Sequence, residues 1–213
     1  RRVLFRSQAG NIPVVMHEIA TNGIDYMTLM FECGDISQED VPYLGLLKSL
    51  LGSLIDAGIG QDVYGSFEDG MLQPFFSIVA KNANKEDQER FVTIIEETLR
   101  KLVKEGLNQD ALLAGINSAE FRFREADYGQ FPKGLLYGLQ CMESWLFDDT
   151  KPFIHLECLD TLQFLREQMN TGYFEKLIQK YLLDNTHGAV VTVVPTKGLN
   201  KVREDALAEK RSE

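Results

Sequence analysis

The stretch Glu120–Phe147, EFRFREADYGQFPKGLLYGLQCMESWLF, places the tightest constraint on the fold. It predicts the end of one helix, a tight turn and the whole of a second helix. Arg122, Arg124 and Glu125 put charge at the end of the first. Tyr128-Gly129-Gln130 supplies the turn, where glycine takes backbone angles that other residues avoid. Pro132 suits a helix start, because a first turn does not use the N–H that proline lacks. Gly134 and Gly138, four apart, share a face that another backbone can approach closely. Leu135, Leu139, Met142 and Leu146 place an apolar stripe beside them. Nothing in this pattern names a reaction.

Upstream, Ile12–Ala20 and Ile24–Cys33 read as strands, and Thr21-Asn22-Gly23 between them is a turn of the type that makes hairpins. Ser37 is a candidate cap for a helix through Tyr43, Leu47, Leu50 and Leu54 to Ala57, ended by Gly58-Ile59-Gly60. Val63–Phe67 and Phe75–Ala80 read as strands with a turn at Glu68-Asp69-Gly70. Asn84 and Asp87 resemble a reciprocal capping pair at the start of a helix that Gly106 stops, and Asn108 caps the next. Leu156–Met169 and Gly172–Leu183 are two further helices. Ala189–Val194, AVVTVV, has so few polar atoms that it belongs inside the sheet. The order predicts an α+β fold, a mostly antiparallel sheet with helices packed on one side. One domain over 12–205 is expected, with 1–11 a disordered or non-native start and 206–213 a tail; Leu199–Ser212 reads as a charged helix or a tail.

A net charge of −10 argues against nucleic acid as a partner, since its phosphates would be repelled. No run approaches the roughly 18 apolar residues of a membrane helix. Cys33, Cys141 and Cys158 are widely spaced and form no C-x-x-C pair, which suits buried thiols in a reducing compartment; a cytoplasmic location is expected.

Candidate chemistry thins out on inspection. His17-Glu18 invites comparison with the zinc motifs HExxH and HxxEH, in which two histidines four apart bind one ion beside a glutamate base. Here HEIAT offers one histidine on a strand-like run, His155 and Glu157 share that shortage, and His187 stands apart. Gly58, Gly60 and Gly65 match neither phosphate-binding glycine spacing. Ser53, Ser66 and Ser118 lie in no G-x-S-x-G elbow. Arg122 and Arg124 could grip a peptide carboxylate, but pairing with Glu125 at a helix end is the plainer role. The chain carries no catalytic or metal-binding motif.

Several stretches do resemble one family. Glu120-Phe121, Arg124-Glu125-x-Asp127-x-Gly129, Pro132-x-Gly134-Leu135 and Trp145-Leu146-x-Asp148 are similar to the M16C branch of the pitrilysin/insulinase metallopeptidases, the presequence-protease type. The likeness extends through Leu54–Gly65, Gln73-Pro74-x-Phe76-Ser77 and Val190–Pro195. Residues 53–205 resemble the second domain of that family. Residues 12–52, with His17-Glu18-x-x-Thr21-Asn22-Gly23-Ile24 and Asp40–Leu44, resemble the start of its third, which places a seam, as in a rearranged or joined piece, near Leu51–Ser53.

The resemblance implies one α+β domain of an enzyme whose halves close around a peptide chamber and cleave unstructured peptides with zinc-activated water. The HxxEH domain is not in this chain, so no functional residue carries over. The implied role is a non-catalytic structural or chamber-wall portion, inactive alone, with the remaining domains as partners and zinc held elsewhere. A mitochondrial or plastid matrix is the implied location for a eukaryotic member. The alternative is a non-peptidase scaffold or interaction domain of the same fold. An apolar face left open by missing domains is implied in either case.

Overall fold

The computed structural model describes residues 5–9, 11–21, 23–36, 59–68, 73–126 and 129–212. Its strands are β1 (Phe5–Ala9), β2 (Ile12–Ile19), β3 (Tyr26–Glu32), β4 (Asp62–Glu68), β5 (Phe75–Lys81) and β6 (Gly188–Pro195). Its helices are α1 (Gln88–Glu105), α2 (Gln109–Glu125), α3 (Lys133–Trp145), α4 (Cys158–Glu167), α5 (Tyr173–Ile178) and α6 (Leu199–Ser212). The α+β expectation holds. The strands form one mixed sheet in the order β1-β2-β6-β3-β5-β4, and β2 with β6 is the parallel pair. The helix expected over Tyr43–Ala57, its cap Ser37, the stop Gly58 and the seam at Leu51–Ser53 lie outside the described residues, as do Asn22, Asp69, Gly70, Asp127 and Tyr128.

Alternation decides which strand face is covered. In β3, Met27, Leu29 and Phe31 are 0–4% exposed, whereas Tyr26, Thr28 and Met30 are half-buried. Phe76, Ile78 and Ala80 of β5 and Val190 of β6 join the covered face. Against it pack Phe91, Ile95 and Leu99 of α1, Phe174 and Ile178 of α5, and Tyr181 and Leu182 of the π-helical turn Gln179–Leu183 that extends α5. Each such large side chain contributes about 1.5–3 kcal/mol by leaving water. Thr192 is buried in this layer, and its Oγ1 accepts a hydrogen bond from Gln88 Nε2 at 2.9 Å, which ties the start of α1 to β6.

Three expectations change. Ile24 N–H donates to Thr21 O at 3.1 Å, yet β2 and β3 do not pair. The apolar β6, with no charged side chain, takes the place between them and gains hydrogen-bonded partners on both edges. Residues 1–11 were expected outside the fold. Instead Phe5–Ala9 pairs antiparallel with β2, and Ala9 is 1% exposed. An edge strand satisfies half of its backbone groups on a neighbour and needs little apolar sequence of its own, so composition concealed it. The expected tail at 206–213 continues α6 as far as Ser212.

Helix ends follow local chemistry with one exception. Asn108 Oδ1 accepts from Ala111 N–H at 3.0 Å and caps α2, and Gly106 N–H donates to Leu102 O at the end of α1. Asn84 does not cap. Its side-chain amide donates to Asp87 Oδ2 at 3.3 Å, and the short 3-10 turn Lys85–Asp87 precedes α1.

Candidate functional site

Helix α3 buries none of its residues although its sequence is rich in apolar side chains. Pro132 precedes it, and Lys133 Nζ reaches back to Glu125 O at 3.1 Å. At the other end Ser144 Oγ donates to Lys151 O at 2.8 Å. Asp148 Oδ1 accepts from Thr150 N at 3.0 Å and Thr150 Oγ1 at 2.6 Å. Those bonds, with Lys151 nearby, hold the Asp148 carboxyl below its ordinary range. This fixed turn brings the 3-10 segment Ile154–Leu156 onto α3, its main packing neighbour among the described elements.

At about 100° per residue, Gly134, Trp145, Gly138, Met142, Leu135, Leu146 and Leu139 fall on one arc of roughly 140°. Leu135, Leu139, Met142, Trp145 and Leu146 are 45–68% exposed. A Cβ added at Gly134 or Gly138 would meet no atom within 4 Å. The charged residues of the helix, Lys133 and Glu143, fall off the arc. The opposite side, with Leu136, Tyr137, Gln140 and Ser144, is half-buried. Phe131, Phe147 and Phe153, flanking the helix in sequence, are 63%, 48% and 58% exposed. The side of α3 turned to solvent is therefore its apolar side, the reverse of an ordinary surface helix. The close approach that the two glycines allow has no occupant among the described residues.

Beside α3, the end of α2 is braced by charge. Arg166 of α4 bonds Glu120 and donates to Asn117 Oδ1 at 2.8 Å, while Arg124 Nε lies 2.7 Å from Glu120 Oε1. Arg166 first, then Arg124, lowers the Glu120 pKa from its ordinary value. The expected partner Glu125 is not the hub. Glu120 is, and its spacing to Arg124 was visible in sequence, whereas Arg166 was not. Arg122 Nε donates to Ser118 O at 3.4 Å. These contacts engage Arg124 and Arg166 with Glu120, so both brace helices.

The three histidines stay apart. His17 sits on β2 opposite Val193, His155 in the 3-10 turn, and His187 before β6, its Nδ1 3.5 Å from Glu32 Oε2. Among the described residues no three His, Cys, Asp or Glu side chains are placed to hold a metal ion, so zinc does not fit the residues described. Cys33 is fully buried, and burial pushes its thiol up to about 11, the opposite of a reactive nucleophile. An open depression of about 440 Å³ at the ends of β2 and β6, lined by Thr21, Pro195, Lys197 and Asn200 among others, gathers no cluster of acids, bases or nucleophiles. Among the described residues no helix is long and apolar enough to cross a membrane.

Comparison with known proteins now bears on these features. The family model described as "Peptidase M16C associated" matches residues 2–74, a stretch that runs through Leu51–Ser53. Protein HypA of Clostridium perfringens is 40% identical over 203 residues, covering 90% of this chain and 21% of its own length. Presequence protease 1, chloroplastic/mitochondrial, of Arabidopsis thaliana is 33% identical over 162 residues, covering 74% of this chain and 15% of its own. This chain thus spans about a fifth or less of the length of these relatives. Among solved structures, an inactive peptidase domain from Bordetella parapertussis superimposes with a TM-score of 0.62 at 14% identity, covering 83% of this chain and 96% of that one. The peptidase M16 inactive domain from Pseudomonas fluorescens gives 0.57 at 15% identity, covering 86% and 43%. At those identities the structural likeness speaks for the fold.

Proposed function

We propose, from the premise that this chain belongs to the M16C-like peptidase family, that it is a non-catalytic portion of a zinc metalloendopeptidase of the presequence-protease type. In this reading it supplies structure and peptide-chamber wall to an enzyme that degrades unstructured peptides. Residues 12–205 act as one unit, with 12–52 contributing the third-domain-like strands and 53–205 the second-domain-like part. The observation that carries the reading is the long match to a relative more than four times its length, in a sequence that holds no HxxEH. Zinc and the residues that hold it would be supplied by the rest of the enzyme, so no step of peptide hydrolysis runs through side chains of this chain. Its contribution is positional. A sheet braced by α1 and α5, and an α2–α4 pair locked through Glu120, give the remaining domains a rigid surface to close upon. The location proposed is the cytoplasm or, for a eukaryotic member, a mitochondrial or plastid matrix, which suits Cys33, Cys141 and Cys158 standing in no C-x-x-C pattern.

The test is cleavage of a long unstructured peptide by the purified chain, with added zinc and with a chelator. No turnover is expected from the chain alone, and chelator-sensitive turnover is expected from the polypeptide as the cell makes it. Chelator-sensitive turnover by the 213 residues themselves would overturn the non-catalytic assignment. A cell-made polypeptide without peptidase activity would instead place the chain in a non-peptidase scaffold.

A further inference from the structure

We infer that the outward arc of α3 is the seat of an uncharged apolar helix from another part of the same polypeptide. The inference rests on the reading of this chain as one portion of a larger enzyme, and it names the surface and its occupant. The arc carries Leu135, Leu139, Met142, Trp145 and Leu146 in the open and no charged residue. A protein surface can exclude water from such an arc. A membrane is a poor occupant, because the helix offers Lys133 as its one cation within a chain of net charge −10, whereas interfacial helices line their polar face with Lys and Arg.

Gly134 and Gly138 set the shape of the occupant. With open space where their Cβ atoms would stand, they form a shallow trough one helical turn long between the larger side chains. A second helix crossing there can bring its backbone close to α3, at the short end of the usual interaxial range of roughly 8–10 Å. Leu135 and Trp145 then flank the incoming helix. The source of that helix follows from length. HypA carries the matched region as 21% of a single polypeptide, so most of that polypeptide lies outside the match. A segment on the same polypeptide meets α3 at a high effective concentration that a second copy, diffusing freely, does not have.

Hydroxyl-radical footprinting read by mass spectrometry tests this, since methionine and tryptophan are fast reporters and Trp145 is the single tryptophan of the chain. Two samples are compared, the 213-residue chain and the polypeptide as the cell makes it. Oxidation of Met142 and Trp145 should be about tenfold slower in the latter, as they pass from 45% and 55% exposed toward the 4–6% of Val92 and Leu99 in this chain's own core. Equal rates in both samples would overturn the inference. So would protection that is already present in the 213-residue chain and grows with its concentration, because that names a second copy as occupant. Gly138→Leu separates the geometry from general burial. In the chain alone its side chain enters open space and replaces a helix-interior glycine, so the melting curve should hold or shift slightly upward. In the cell-made polypeptide it should restore several-fold faster oxidation of Met142 and Trp145, and continued protection would refute the close approach at the glycines. Footprints do not depend on turnover, so an inactive polypeptide with a protected α3 would count against the peptidase reading and leave this one standing.

Discussion

Replacing Gly60 with alanine tests the join between the buried Ile59 and the edge strand β4. Gly60 has φ +74°, a region where an L residue costs about 1–2 kcal/mol. A Cβ there would lie 2.8 Å from Lys81 O and 3.3 Å from Ala80 Cβ. That carbonyl cannot move freely, because it accepts the Gln61 N–H at 2.8 Å. Relieving the contact weakens this bond, worth about 1 kcal/mol net. The expected total for Gly60→Ala is therefore about 2–3 kcal/mol. Gly172→Ala is the control, since Gly172 has φ +72° with nothing within 4 Å of the added Cβ, and should lose only the backbone part, about 1–2 kcal/mol. Urea unfolding of both variants, followed by far-UV circular dichroism, gives the two values at a common slope. If Gly60→Ala costs no more than Gly172→Ala, the close approach of residue 60 to β5 is wrong.

Two further outcomes follow from charge and burial. Glu120 has its folded pKa lowered by Arg166 and then Arg124, so the unfolded chain binds more protons as pH falls; its stabilising part is present above the ordinary carboxylate range and lost as pH drops through the folded value, and Glu120→Gln should flatten the acid limb of a stability–pH profile measured by urea unfolding. Cys33 keeps its proton in the fold up to about 11 against an ordinary 9.0, so its stabilising part is present below that ordinary value and lost as pH rises through the folded one; a thiol titration at pH 8 should leave Cys33 unreacted until denaturant is added, and early reaction there would contradict its burial.

Local chemistry was legible where it acts over a few residues. The alternation of Met27, Leu29 and Phe31 gave β3 and its covered face, the Asn108 cap and Gly106 stop gave the ends of α1 and α2, and the uncharged run Ala189–Val194 gave a central strand. What stayed hidden is non-local. Thr21–Gly23 signals a turn, but whether two strands joined by a turn also pair depends on whether a third comes between them, and β6 is remote in sequence. Glu120 could be seen to face Arg124 from spacing alone, whereas Arg166 arrives from another helix. On α3 the helical period located the apolar arc and the glycines. Periodicity does not say what covers an apolar face, and here the described chain leaves it bare.

The place of β6 has a consequence for how such a polypeptide is made. β2 and β3 each have one edge that waits for β6, and about 150 residues must be synthesised between β3 and β6, roughly 10–30 s at ordinary translation rates. Until then the unpaired backbone edges of both strands, and the layer that β6 completes, stay open on the ribosome. The long α1–α5 excursion can form its helices locally in that interval, but it has no finished sheet to settle on. A ribosome stalled before Gly188 would therefore release helices with an unclosed sheet, a species suited to chaperone binding, and the sheet closes in one late, long-range event.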